Sequence, residues 1–196
     1  MKKLTTEIAL AILLTPTIAS AELSYDHVQL GYEQLSKSGS NDLNMTNFNL
    51  SKGITDNIVL DGKYGMEKHA TSYGDLSTKD MAVGVGYHSP IQTNTDFIVT
   101  GRLRQVTASL AGASSTGDSR ILGLGIRSEF TPQFEGRLDV NFASYTVGSS
   151  TNTSTEARGE LGFKITPQLQ LIAGLGAISA GSNPTHIFNV GVRYFY

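Results

Sequence analysis

The chain has 196 residues, of which 16% are charged and 39% hydrophobic, with 21 Gly, no Cys and no Trp. Average chains carry about 25% charge and about 7% Gly, so this one is charge-poor and Gly-rich, yet not apolar enough for a helical membrane protein. The formal net charge of −2 argues against a nucleic-acid partner, which would require a basic patch or stripe. Without cysteine there is no disulfide framework, no Cys-ligated zinc and no thiol nucleophile.

The N-terminus carries Lys2 and Lys3, an apolar run from Ile8 to Leu14 and on to Ile18, and the small-residue stretch Ala19-Ser20-Ala21. That order reads as a secretory signal peptide. Glu7 and Pro16 leave the run too short to span a membrane, which takes about 20 apolar residues. The expected organisation is a cleaved signal at 1–21 and one domain at 22–196.

That domain alternates with period two almost throughout. Strands are expected at 24–35 and 43–52, then at 57–67, where Ile58, Leu60, Gly62, Tyr64 and Met66 share a face. The next, at 79–89, places Met81, Val83, Val85 and Tyr87 together, and 95–107 sets Phe97, Val99, Gly101 and Leu103 against Asp96, Thr100, Arg102 and Arg104. Strands at 120–130 and 133–147 follow; the second opposes Phe134, Gly136, Leu138, Val140 and Phe142 to Glu135, Arg137, Asp139 and Asn141. The last three are expected at 156–165, 168–178 and 186–196. Period-two alternation of this kind gives each strand one apolar and one polar face.

Tight turns at 53–57, 89–95, 131–133 and 166–168 alternate with longer polar stretches at 36–42, 68–78, 109–119, 148–155 and 179–185. Most strands are longer than the 5–6 residues or so usual in a soluble sheet and suit a tilted membrane crossing of about 9–11. Short turns on one side, longer connections on the other and an even strand count are the pattern of an outer-membrane barrel. The expected fold is all-β: a closed, up-and-down, antiparallel transmembrane β-barrel of ten strands, or of eight if two segments are loops. A soluble β-sandwich or lipocalin-like barrel would alternate too, but would want a bulkier core than Gly62, Gly101, Gly136, Gly159, Ala173 and Ala177 supply.

At the C-terminus, Phe188, Val190, Val192, Tyr194 and Tyr196 fall on one face, and the sequence stops on an aromatic. This resembles the C-terminal assembly signal of bacterial outer-membrane β-barrels. Over nearly the whole of 22–196 the pattern is similar to small barrels of the OmpA/OmpX, opacity-protein and porin-like kind. The resemblance implies a bacterial outer-membrane location with both termini periplasmic, outer-membrane lipids around the barrel, and assembly by periplasmic chaperones and the barrel-assembly machinery.

With the apolar face outward, the other face lines the lumen. It holds Lys63, Arg102, Arg104, Arg127, Arg137, Arg158, Lys164 and Arg193, with Glu33, Asp61, Glu67, Asp80, Glu129, Glu135, Asp139 and Glu160. Charges in a low-dielectric wall persist only if paired or wet. Expected clusters are Arg127 with Glu135, and Arg137 or Asp139 with Arg158 and Glu160. Eight strands are just filled by side chains and ten are only slightly wider, so a salt-bridged plug is expected, with a structural or surface-interaction role. A narrow passive channel for small solutes is the alternative.

A rim-located lipid A or peptide hydrolase is a more distant alternative. It would draw on His69 beside Glu67, or on His186, whereas His88-Ser89 is expected at a periplasmic turn. No enzymatic activity, cofactor or metal is expected: no His or carboxylate spacing matches a zinc or calcium site. Gly84-Val85-Gly86 and Gly123-Leu124-Gly125 lack the helix of a nucleotide site and read as close-packing strand glycines. Tyr64, Tyr87 and Tyr196 fit an aromatic girdle, while Tyr145 has the inward parity.

Overall fold

In a computed structural model the chain is described over residues 23–39, 42–71, 74–181 and 183–196. The expected signal peptide, 1–21, lies outside the described residues. Ten strands follow in chain order: β1 His27–Lys37, β2 Leu43–Gly53, β3 Ile58–Thr71, β4 Gly74–Gln92, β5 Thr95–Leu110, β6 Ala113–Thr131, β7 Phe134–Val147, β8 Ser150–Lys164, β9 Leu169–Ser179 and β10 Thr185–Phe195. Each pairs antiparallel with its sequence neighbours, and β1 pairs with β10 from His27↔Phe195 to Lys37↔Thr185, closing the ring.

A row of partners that leaves mid-β1 at Gly31 passes Asn47, Gly65, Asp80, Val106, Gly117 and Val147 and ends at Ser150, the tip of the β7–β8 hairpin. A row perpendicular to the strands thus climbs from mid-height to a tip, which means that the strands lean. Barrel strands typically lean by about 35–45°.

The periplasmic-type turns owe their shape to threonine. Thr55 Oγ1 accepts from Ile58 N at 3.0 Å, Thr131 Oγ1 from Phe134 N at 3.1 Å, and Thr166 Oγ1 from Leu169 N at 3.0 Å. This explains the repeated Thr-Pro-Gln: the hydroxyl closes the turn locally, and proline sits where no ladder hydrogen bond is required. Pro90 lies inside β4, at a register irregularity between Pro90 and Gln92, where its missing N–H is tolerated.

The opposite side differs from expectation. The polar stretches at 68–78, 109–119 and 148–155 are mostly strand among the described residues, and the β5–β6 and β7–β8 hairpins rise there on two-residue turns. Ala111 (φ 50°) and Gly112 (φ 86°) both take the positive φ of a type I′ turn. Gly148 (φ 60°) holds the first central position of the Val147–Ser150 turn. Ser and Thr read as loop by composition, but they are sound strand residues once paired cross-strand, as Thr107 Oγ1 and Thr116 Oγ1 are at 3.1 Å. The strands β1, β2, β9 and β10 run only 11 residues each. At the other end β1 begins at His27, not at residue 24, and β4 runs on to Gln92, so His88 belongs to a strand and not to a turn.

The core is inverted. Leu30, Val83, Leu103, Leu161 and Leu175 point outward, Leu175 being 67% exposed, whereas Asp80 and Gln170 are 0% exposed inside. In water a continuous apolar wall of this extent would drive association; against hydrocarbon it is the favoured exterior. Closure follows from the same solvent, since an open edge would leave amides unpaired.

The seam gives a test. A Cβ at Gly191 on β10 would lie 2.6 Å from the carbonyl oxygen of Leu30 and 3.1 Å from the Gly31 Cα, both backbone atoms of β1. Gly191→Val is expected to abolish the compact form that resists unheated detergent on a gel. Gly101→Ala, whose added methyl meets nothing within 4 Å, is expected to keep it.

Candidate functional site

The polar faces of all ten strands meet in the lumen. Taking the chain-terminal side as the lower end, its charges form two layers. In the upper layer Arg104 donates from Nε and Nη2 to the two carboxylate oxygens of Asp80 at 2.7 and 3.0 Å. Lys63 Nζ lies 3.4 Å from Asp80 Oδ2 and 3.5 Å from Glu33 Oε1. Arg158 then donates from Nη1 to Glu33 at 2.8 Å and from Nε to Glu156 at 3.2 Å. Glu33 is on β1 and Arg158 on β8, with β9 and β10 between them in the ring. Their bond therefore crosses the lumen instead of following the wall.

In the lower layer Arg127 makes a bidentate pair with Glu135, both bonds 2.8 Å, each residue 2% exposed. Arg193 on β10 reaches Glu135 on β7 at 3.5 Å and also donates to Glu160, to Gln29 at 2.8 and 3.1 Å, and to Gln170 at 3.0 Å. Lys164 pairs with Glu129. Bidentate guanidinium–carboxylate bonds are among the stronger charge-assisted kind.

Register decides which groups pair. Arg127 stands directly opposite Arg137 across β6–β7. Like charges so placed repel, and each turns to a different carboxylate of β7: Arg127 to Glu135, and Arg137 to Asp139 at 2.7 and 2.9 Å. The register does set Arg137 opposite Glu160 and Asp139 opposite Arg158, as the expected grouping requires, but no direct ion pair joins them among the described residues. Arg137 is already satisfied within its own strand, Arg158 goes to Glu33 and Glu156, and Glu160 goes to Arg193.

Arg102 on β5 and Asp61 on β3 pair at 2.7 Å although β4 separates them. The residue between them in the row is Gly84, and a Cβ there would lie 2.5 Å from both Arg102 Cγ and Asp61 Oδ2. The glycine therefore leaves the floor clear for a salt bridge that straddles its strand.

Between the layers is a cavity of about 270 Å³, lined on one side by Lys63, Arg102 and Arg104 and on the other by Arg137, Glu160 and Arg193. Near the upper end the Glu67 carboxylate accepts from Asn44 N at 3.1 Å through one oxygen, while its other oxygen is buried without a partner. His69 lies exposed two residues farther up β3, and His186 lies exposed on the outward face of β10. Phe188, Val190, Val192, Tyr194 and Tyr196 stand on the outer face beside the seam. There Tyr196 donates its hydroxyl to the Ser51 carbonyl at 3.2 Å.

Sequence reasoning missed the lower mouth. Ser24 and Tyr25, before β1, turn inward beneath the barrel. Tyr25 stacks on His88 at 3.9 Å between ring centroids and donates to Asp96 at 2.7 Å. His88 Nδ1 lies 3.0 Å from the same carboxylate oxygen, and the Arg127 guanidinium sits 4.8 Å from the Tyr25 ring while donating to the Ser24 carbonyl at 2.7 Å. Burial raises the phenol above its ordinary range; Arg127 opposes this and Asp96 adds to it. The residues just outside a strand carry no alternation, so only the parity of Asp96 and His88 pointed here. Next to it, Asp26 accepts from Gly53 N at 2.7 Å and from Lys52, and these bonds hold its carboxyl below the usual range.

No protein-family model matches the sequence, and no curated protein matches it. Solved structures do. The β domain of the Bordetella autotransporter BrkA superposes with a TM-score of 0.60 at 9% identity, covering 87% of this chain and 98% of that one. The translocator domain of the autotransporter NalP from Neisseria meningitidis gives 0.54 at 9% identity, over 98% and 96%. The KdgM porin in complex with disordered oligogalacturonate gives 0.51 at 10% identity, over 86% and 99%. The fold is that of an outer-membrane β-barrel.

Two outcomes are expected from this geometry. Glu135→Gln leaves Arg127 buried without its carboxylate, at a cost of about 3–5 kcal/mol, read as a lower urea midpoint of the barrel in lipid vesicles; Asp42→Asn, at an exposed site, leaves the midpoint unchanged. Tyr25→Phe removes a donor from the buried Asp96, at a cost of about 1–3 kcal/mol, and exposes the 23–26 segment to added protease. Because the folded phenol titrates above its free value of about 10, its anchoring is complete below that pH and is lost only as pH rises through the raised value. Tyrosinate absorbance of the folded protein should match that of Tyr25→Phe through the ordinary phenol range and exceed it by one residue only above the raised value.

Proposed function

We propose that the chain is an exported bacterial outer-membrane protein whose lumen is closed by its own ion pairs, with a structural or surface-interaction role and no catalytic one. The observation that carries this reading is the Glu33–Arg158 bond across the lumen. Each of Lys63, Arg102, Arg104, Arg127, Arg137, Arg158, Lys164 and Arg193 has a carboxylate within 4 Å. A paired charge has little left to offer a passing ion, and a pair that spans from β1 to β8 over two intervening strands stands in the path itself. Tyr25 adds a lower stopper. The apolar wall supports placement in lipid, with export by the signal at 1–21. Chaperone-assisted assembly would use the aromatic strand ending in Tyr196.

The arginine-lined cavity of about 270 Å³ favours a second reading, a narrow passive channel, and KdgM is a porin of similar architecture. Planar-bilayer recording separates the two. The wild type is expected to show no steps, and Glu33→Ala with Arg158→Ala is expected to open measurable conductance. Steps in the wild type, reduced by neutralising Arg102 or Arg104, would select the channel. For the hydrolase reading, Glu67 and His69 share the lumen-facing parity of β3, but no hydrogen bond or ion pair joins them among the described residues, and His186 faces outward.

A further inference from the structure

The outer wall is not smooth. A groove of about 1080 Å³ runs across the strands from β3 to β8 on the exposed side of the sheet. Its floor follows the register row Leu60, Val85, Gly101, Leu122, Phe142 and Thr155. Because the strands lean, this row is a diagonal. Leu60 lies two residues from the lower end of β3, whereas Thr155 lies five residues from the upper tip of β8. The floor is hollow at Gly101, where a Cβ would meet nothing within 4 Å.

The groove is amphipathic along its length. The lower half is Leu60, Val83, Val85 and Leu103. In the upper half Arg120 is joined by Ser144, Thr153 and Thr155. Arg120 is exposed, faces outward with Leu122 and Leu124, and has no hydrogen bond or ion pair among the described residues. The contrast with the lumen is sharp, because every arginine there is matched by a carboxylate. An outward guanidinium at the edge of an apolar wall, flanked by hydroxyls, is complementary to a phosphate, which it can bind with charge-assisted bonds.

We propose that this groove holds one phosphorylated, acylated lipid of the leaflet on the tall-hairpin side, of lipid A chemistry. An acyl chain would lie along Gly101 toward Leu60, and a phosphate would rest on Arg120, Ser144 and Thr153. The inference rests on the membrane placement proposed above. It commits to the lipid as the source of the phosphate, because an inorganic anion would make no use of the apolar half.

The test is native mass spectrometry of the full chain extracted in detergent, titrated with lipid A, dephosphorylated lipid A and inorganic phosphate. One lipid A is expected to remain bound. Arg120→Gln is expected to weaken it by about tenfold or more, the value of a lost hydrogen bond to a charged group. Gly101→Phe fills the floor and is expected to weaken lipid A and its dephosphorylated form alike. Retention equal to wild type in both variants overturns the proposal, as does displacement of lipid A by millimolar phosphate. Both variants should keep the heat-dependent gel shift of a closed barrel. A wild type without that shift overturns the membrane placement itself, whereas a shift with unchanged lipid binding overturns the groove alone.

Discussion

A charge taken out of water must find its opposite, and the interior of this barrel is arranged around that need. The cost of leaving one of these charges alone is several kcal/mol, comparable with the net stability of a whole domain. The lumen meets it by chaining charges instead of isolating pairs. Arg104, Asp80, Lys63, Glu33, Arg158 and Glu156 form one run, and Arg127, Glu135, Arg193 and Glu160 another. Linked groups polarise one another and fix one another's geometry. Here they also tie β1 to β8 and β10 to β7, each over two intervening strands, so the ring is braced by chords through its interior as well as around its wall.

The two faces of the sheet solve opposite problems with the same small residue. Inside, Gly84 removes a side chain so that Arg102 can lie over β4 to reach Asp61. Outside, Gly101 removes one and nothing fills the space. The first void is used by the protein itself, and the second is open to whatever surrounds it. Arg120, which has no hydrogen bond or ion pair among the described residues, stands beside that second void.

The fold was legible because alternation is a period-two signal that a barrel repeats strand after strand. Phe134 to Phe142 states the inside and the outside without ambiguity. The strand ends were less so. Ser, Thr and Gly at 109–119 carry no hydrophobic pattern, since both faces of the hairpin are exposed at its tip, and composition alone then resembles a loop. The identity of the lumen residues followed from parity, but their partners did not. Pairing depends on which residues the register sets opposite one another, as with Arg127 and Arg137, and on contacts across the ring that no local pattern encodes, as with Glu33 and Arg158. Tyr25 was hidden for a related reason: its role is to fold back beneath strands 60 to 100 residues away.

The seam has a consequence in time. β1 has one neighbour close in sequence, β2, and one, β10, that lies at the far end of the barrel domain. Until β10 arrives, β1 presents a row of free amides and carbonyls, and an exposed edge of that kind pairs with whatever strand comes first. Contacts of such long sequence separation also form slowly. The cross-lumen bond from Glu33 to Arg158 can settle only when the ring has brought β1 round to face β8. The last backbone ladder and the bracing charges are therefore completed together, and a chain halted before β10 has neither.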